Sequence, residues 1–197
     1  MAPTGGSPAE PGGELPFIVS SRVAFRGHVF EVRVDEVRMP DGTTIARDTV
    51  SHPGAVVMAA LDDQGRVVLV SQYRHAVTRR LLELPAGTLG EGEEPLAAAK
   101  RELREETGLL GNRWERLGSF FSSPGFLKEE LHVFLARDLV ATEQDLEDDE
   151  DIEVEWRALD DLLRTPGAVA DAKTLAALLL VAARLRAEGD DVLLQKE

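Results

Sequence analysis

Apolar and polar positions alternate in short segments over residues 16–49: IVSSRVAF, HVFEVRVDEVRM and TTIARDTV. Strict alternation predicts strands with one buried face. Arg26-Gly27 and Pro40-Asp41-Gly42 between them predict turns, so this part reads as a small antiparallel sheet. GAVVMAAL, residues 54–61, is apolar without alternation, which predicts a strand covered on both faces. Asp62-Asp63-Gln64-Gly65 turns it into RVVLVSQY, residues 66–73, as a hairpin. Further strands are predicted over residues 80–85, 114–122, 130–137 and 151–156, and a short helix over 159–163. A longer helix over 171–188 has Asp171 as cap and Leu175, Leu178, Leu179 and Ala182 as its apolar stripe. No internal repeat is visible. Strands with helices on both sides predict an α+β fold, a sandwich.

The remaining patterned stretch is GTLGEGEEPLAAAKRELREETGL, residues 87–109. Its second half predicts a helix. Pro95 suits the first helical position, where its missing N–H costs nothing, and Gly108 suits the left-handed position past the end. Leu96, Ala99 and Leu103 make the face to bury. Glu102, Glu105 and Glu106 stand three and four apart, on a common face. As structure alone that face is unfavourable. Like charges at this spacing cost about 0.2–0.5 kcal/mol per pair. Carboxylates in a last turn also oppose the helix dipole, by roughly 0.3–1 kcal/mol each. A crowded but solvated acidic face explains the spacing as well as a site does. A hard divalent cation would turn the same face into a ligand set, since Mg²⁺ takes oxygen donors.

Composition narrows the classes. The 197 residues suffice for one domain, or one with an accessory lobe. There is no cysteine, so no disulfide framework or thiolate metal site. A net charge of −14 argues against binding nucleic-acid backbone or anionic membranes. No apolar run approaches the length of a membrane span, and the N-terminus lacks the features of a signal peptide. These features lead us to expect a cytoplasmic protein. Residues 1–15 are rich in Gly, Pro, Ala and Ser and are expected to form a disordered tail.

The wider pattern around the acidic face is specific. Five residues separate Gly87 from Glu93, seven separate Glu93 from Arg101, and RELREETGL follows. This resembles the Nudix box, with all seven fixed residues in place and Leu103 and Leu109 in its aliphatic slots. With each fixed residue at about 7 %, chance gives roughly 10⁻⁸ per start position. Pro124, fifteen residues after Leu109, and the tract QYRHAVTRRLLELPAG resemble the ADP-ribose pyrophosphatase branch of that family. The resemblance spans roughly residues 47–156.

That resemblance implies a Nudix-type α/β/α sandwich with a mixed central sheet over residues 53–197. It also implies an N-terminal β lobe over residues 16–52 that packs on a partner subunit in a homodimer. It implies hydrolysis of a nucleoside diphosphate linked to another group, foremost ADP-ribose, to AMP and ribose 5-phosphate. Two or three Mg²⁺ ions, or Mn²⁺ in their place, would be held by Glu102, Glu105, Glu106 and the carbonyl of Ala86. His75 and His132 are weaker alternatives. Gly87, Glu93, Arg101 and Gly108 would be structural, with Glu93 and Arg101 paired. The catalytic base would come from the acidic run over residues 143–155, nine carboxylates in thirteen positions. Glu150 matches best, with Asp149 and Glu153 beside it; Glu105 can serve instead. Arg47, Arg74 and Arg80 offer forks for phosphate, and Pro124, Gly125 and Phe126 a substrate loop. Phe30 or Tyr73 could stack on the adenine. Leu127-Lys128-Glu129 departs from the Ser/Thr-Asp-Glu run usual after SPGF in that branch. Other nucleotides, or sensing without cleavage, are the competing readings.

Overall fold

The computed structural model describes residues 15–146 and 151–189. The chain divides after Ser51 into two compact units. The N-terminal unit is a meander of β1 (Phe17–Arg26), β2 (Glu31–Arg38) and β3 (Thr44–Ser51), antiparallel throughout. The three predicted strands are there, but the predicted alternation of buried and exposed positions is not: β1 is exposed along all ten residues, with Phe17, Ile18, Val19, Val23 and Phe25 in solvent, and neither β2 nor β3 has one buried face. In mid-sheet the Asp35 carboxylate accepts from the hydroxyls of Ser21 and Thr49. Those two bonds hold its carboxyl below the ordinary carboxylate range.

The second unit is layered. β4 (Ala55–Ala60) runs parallel to β10 (Glu130–Ala141) and antiparallel to β7 (Ala86–Thr88), and β8 (Leu109–Phe121) completes a mixed sheet in the order β7-β4-β10-β8. A second, antiparallel sheet has the order β11-β5-β6, from β5 (Arg66–Arg74), β6 (Arg79–Glu83) and β11 (Ile152–Ala158). A two-residue strand, β9 (Leu127–Lys128), follows the Ser123-Pro124-Gly125-Phe126 turn.

Every residue of β4 is buried, because both of its faces are covered. Val57, Ala59 and Leu61 point into one core with α2 (Leu159–Arg164) and α3 (Ala172–Glu188). Val56, Met58 and Ala60 point into the other, with Ala98, Ala99 and Leu103 of α1 (Pro95–Thr107). This is the expected α/β/α sandwich. Among the described residues no helix is long and apolar enough to cross a membrane.

Boundaries differ where pairing overrides pattern. β8 begins at Leu109, five residues before the predicted strand, because its ladder with β10 runs back to Ala141↔Leu109. β7 lies between the strand predicted over residues 80–85 and the predicted helix, where no element is expected, and is a strand through its pairing with β4. Two helix faces are also rotated from expectation. Leu96 is exposed in the first turn of α1, and Ala98, Ala99, Leu103 and Glu106 are buried. On α3 Leu179 is 64 % exposed, and the buried stripe is Thr174, Ala177, Leu178, Val181, Ala182 and Leu185.

Candidate active site

The site is built on α1. Pro95 opens the helix, and Gly108 closes it in the left-handed conformation, φ 66°, with its N–H donating to Arg104 O at 2.8 Å. The three carboxylates are not equivalent. Glu106 is on the buried side, 3 % exposed, where Oε2 accepts the Ala86 N–H at 3.0 Å. Glu102 and Glu105 are half-buried beside it. The expectation of one acidic face distinct from the apolar one is therefore corrected: Ala99, Leu103 and Glu106 share the buried stripe.

Gly87 explains its own place in the pattern. A Cβ built there would lie 1.9 Å from Glu102 Cδ, so the carboxylate occupies the volume any other side chain would fill. The box strand and the box helix thus meet through a carboxylate packed on bare backbone.

Arg101 organises the other acids. Its Nε and Nη2 donate to Glu93 at 3.1 and 3.0 Å, and its Nη1 reaches Glu102 at 2.7 Å and Glu105 at 3.0 Å. Glu93 in turn accepts the Gly90 N–H at 2.9 Å, which pins the loop ahead of the helix. The Arg101 bond holds the Glu93 carboxyl below its ordinary range, and the Glu93 bond raises the Arg101 guanidinium. Among the described residues no three acidic or histidine side chains are gathered as a metal cage; Glu102 and Glu105 are turned onto Arg101 instead. The donors nonetheless suit a hard cation. They are all oxygens, they project from adjacent turns, and the Gly87 recess keeps Glu102 close to β7.

The C-terminal end of α1 is closed by the segment after β10. Thr142 N–H donates to Gly108 O at 2.7 Å, Asp145 N–H to Glu105 O at 3.1 Å, and Gln144 Nε2 to Glu106 O at 2.5 Å. Arg104 adds contacts to Glu105 and Asp145, both at 3.2 Å. Helix carbonyls that would lack partners are thereby satisfied. Glu150, the expected base, and its neighbour Asp149 lie outside the described residues. Glu153 is on β11, exposed, 3.7 Å from Arg80.

A cavity of about 370 Å³ opens at the box strand, lined by Ala86, Gly87, Thr88, Arg74, His52 and Lys173 among others. Arg74 reaches its wall by way of Glu83, which is 1 % exposed. Nε and Nη2 of Arg74 donate to the two Glu83 oxygens at 2.8 and 2.6 Å. Lys173 Nζ donates to the same carboxylate and to Asp171 at 2.9 Å. Burial pushes the Glu83 carboxyl up, but the Arg74 fork and the Lys173 charge outweigh it and hold the group below its ordinary value. Asp171 caps α3 by accepting the Thr174 N–H at 3.0 Å, and Thr174 Oγ1 accepts the Leu84 N–H at 2.9 Å, so α3 is tied to the approach of the box strand.

The other expected substrate residues are dispersed. Arg80 donates to Ser71 O at 2.8 Å and to Asp151 Oδ2 at 2.5 Å, bracing β11 on the hairpin. Arg47 is exposed on β3 of the N-terminal unit, opposite Asp35 in register. Pro124, Gly125 and Phe126 form an exposed turn in which Leu127 N–H donates to Ser123 O at 3.0 Å. Tyr73 and Phe30 are both exposed. His132 contacts Arg116, and His75 lies in a short 3-10 turn against Tyr73. Glu83 and Lys173 were missed by the sequence reading. A carboxylate inside the apolar run RLLELP was the available signal, since a buried charge demands a partner; Lys173 had none.

The chain is similar to known proteins over most of its length. The NUDIX domain family matches residues 50–178, and the nucleoside diphosphate sugar hydrolase N-terminal domain matches residues 18–51. An ADP-ribose pyrophosphatase of Bacillus subtilis is 40 % identical over 164 residues, 81 % of this chain and 89 % of that protein. A methanol dehydrogenase activator of Bacillus methanolicus is 37 % identical over the same shares. A crystal structure of an ADP compounds hydrolase superposes with a TM-score of 0.79 at 22 % identity, over 91 % of this chain and 99 % of that one. With the box intact on its helix and the family matched across the catalytic unit, the chain belongs to the Nudix hydrolase family.

Proposed function

We propose that this protein hydrolyses the diphosphate of ADP-ribose, yielding AMP and ribose 5-phosphate. The observation that carries the reading is the Glu102, Glu105 and Glu106 set on α1, in which Glu102 packs on Gly87 of β7 and Glu106 accepts the Ala86 N–H. The name and 40 % identity of the Bacillus subtilis relative, with Pro124 in place, support the choice of substrate.

Glu102, Glu105, Glu106 and the Ala86 carbonyl would hold Mg²⁺ or Mn²⁺, two or three ions per site. Such ions neutralise charge on the attacking and leaving oxygens of a diphosphate when bound. The protein's own share is positional. Glu106 is fixed by the Ala86 amide, and Arg101 keeps Glu102 and Glu105 on one side of the helix. Arg74 presents a guanidinium to the cavity at the box strand, where a phosphate would lie. A carboxylate of the acidic segment, Glu150 foremost and Glu153 or Glu105 in its stead, takes the proton of the attacking water. A carboxylate among like charges is a suitable base, because its neighbours disfavour ionisation.

The exposed apolar β1 supports a homodimer formed through the N-terminal unit. The net charge of −14 and the lack of cysteine support a cytoplasmic enzyme with neither a nucleic-acid nor an anionic-membrane partner.

The test is AMP release from ADP-ribose by the purified protein with Mg²⁺ or Mn²⁺, with Glu106→Gln as control. The second named relative, a methanol dehydrogenase activator, calls for a panel including NADH, dinucleoside polyphosphates and sugar nucleotides. No AMP from ADP-ribose, with turnover of another member, would move the assignment to that substrate. Tight ADP-ribose binding without turnover would make the chain a sensor.

A further inference from the structure

Glu83 is an expensive residue to keep. It is 1 % exposed, at the end of a strand whose neighbour Leu84 is fully buried. An ionised carboxylate there needs full compensation, and it has two cations from elements far apart in sequence: Arg74 across the β5–β6 hairpin and Lys173 from α3. A pair of apolar residues would fill the same volume at less cost. The arrangement is therefore informative about Arg74, whose side chain is 38 % exposed while its partner is sealed.

We propose that Glu83 is a positioning residue: it clamps Nε and Nη2 of Arg74 so that the rest of the guanidinium faces the cavity beside Gly87 in one fixed orientation, ready for a phosphate oxygen. Two parallel N–H bonds to one carboxylate fix the plane of a guanidinium, which one bond cannot do. Arg74 holds Nη1 and the second Nη2 hydrogen beyond this clamp, and it lines the cavity with Ala86 and Gly87. Lys173 completes the device. It reaches the Glu83 oxygen that Nη2 also uses, and through Asp171 it is anchored to the cap of α3. Glu83 is thus pinned from the far layer of the sandwich, and an arginine at the end of a hairpin strand becomes a preordered donor. The substrate meets a guanidinium that is already oriented, so the ordering cost is met in folding and not in binding.

This inference rests on the diphosphate reading, and its experiment separates the two. Wild type is first assayed with ADP-ribose and Mg²⁺; failure there overturns the substrate assignment and leaves the clamp to be read on the substrate the panel identifies. With turnover established, Glu83→Gln and Arg74→Lys are compared with wild type for kcat, KM and the half-activating Mg²⁺ concentration. Their Kd for ADP-ribose is measured in EDTA by calorimetry.

Loss of one charged hydrogen-bond partner predicts a KM and a metal-free Kd each raised about tenfold or more. kcat should stay within about threefold, with Mg²⁺ activation unchanged. The double variant should be no worse than the worse single, since both remove the same oriented donor. If Glu83→Gln does not fold, because two cations then face a neutral amide, Glu83→Gln with Lys173→Met removes one of them and is held to the same KM and Kd criteria. An unchanged KM and Kd in a folded Glu83 variant overturns the proposal. So do losses that multiply in the double variant, or a fall in kcat that simply tracks Tm.

Discussion

Glu102 lies where a side chain of Gly87 would be: a Cβ at that glycine would stand 1.9 Å from Glu102 Cδ and 2.3 Å from Cγ. The displaced atoms are the far end of a flexible side chain, so the conflict is cheap to relieve in the fold and costly at the site. Gly87→Ala should change stability by only about 0.5 kcal/mol. Hydrolysis should fall at least about tenfold, because a carboxylate displaced by an ångström no longer meets its ligand. Urea unfolding and AMP release on one sample check this; equal losses in both would show the glycine to be structural only.

Arg101 predicts a different balance. One guanidinium spans Glu93, Glu102 and Glu105, all within 3.1 Å. Lysine keeps the charge but not the fork. Arg101→Lys should free the loop that Glu93 pins, so the Gly90 amide exchanges faster with deuterium. Activity at saturating metal should fall about 10–100-fold, the usual effect of losing a residue that orients metal ligands. Amide exchange at Gly90 equal to wild type would show that the loop holds itself.

The sequence made the box helix legible to the residue, because its ends are set locally. Pro95 fixes the start and Gly108 the stop, and neither depends on the rest of the fold. GAVVMAA was legible as a doubly covered strand for the same reason: its two cores are written into consecutive residues. What escaped is what distance decides. Lys173 meets Glu83 across ninety residues, and β7 is a strand only because β4 lies beside it. The orientation of α1 also escaped. The spacing of Glu102, Glu105 and Glu106 shows that they are neighbours, but only packing shows Glu106 turned inward and Leu96 outward.

Acid stability follows from the cluster at α3. Glu83 and Asp171 both have carboxyls below their ordinary values. For Asp171, as for Glu83, burial acts upward and is outweighed, here by the Lys173 charge and the Thr174 bonds. A carboxyl lowered in the folded state contributes stability that is fully present above its unfolded value, about pH 4. That contribution is lost as pH falls through the lower folded value. Wild type should therefore lose stability steadily below about pH 4, whereas Asp171→Asn should show a shallower acid limb. At neutral pH Asp171→Ala should cost about 1–2 kcal/mol through the lost cap. Denaturant melts from pH 2 to 7 read both; parallel curves for wild type and Asp171→Asn would contradict the linkage.

Gln144 joins the box helix to the acidic segment. Its Nε2 donates to Glu106 O at 2.5 Å, one residue before the Asp145 N–H bonds Glu105 O. Gln144→Ala leaves the Glu106 carbonyl without that bond, at a cost of about 1 kcal/mol in stability. The larger effect should fall on turnover. Glu150, the proposed base, follows Leu146 by four residues in the sequence, so the latch at Gln144 and Asp145 holds the chain just ahead of it. A base must reach hydrogen-bond distance of the water it activates. kcat should thus fall about tenfold with KM nearly unchanged, and Glu150→Gln placed on top should add less than it costs in the wild-type background. Independent, multiplying losses would separate the latch from the base and leave Glu105 or Glu153 to take the proton.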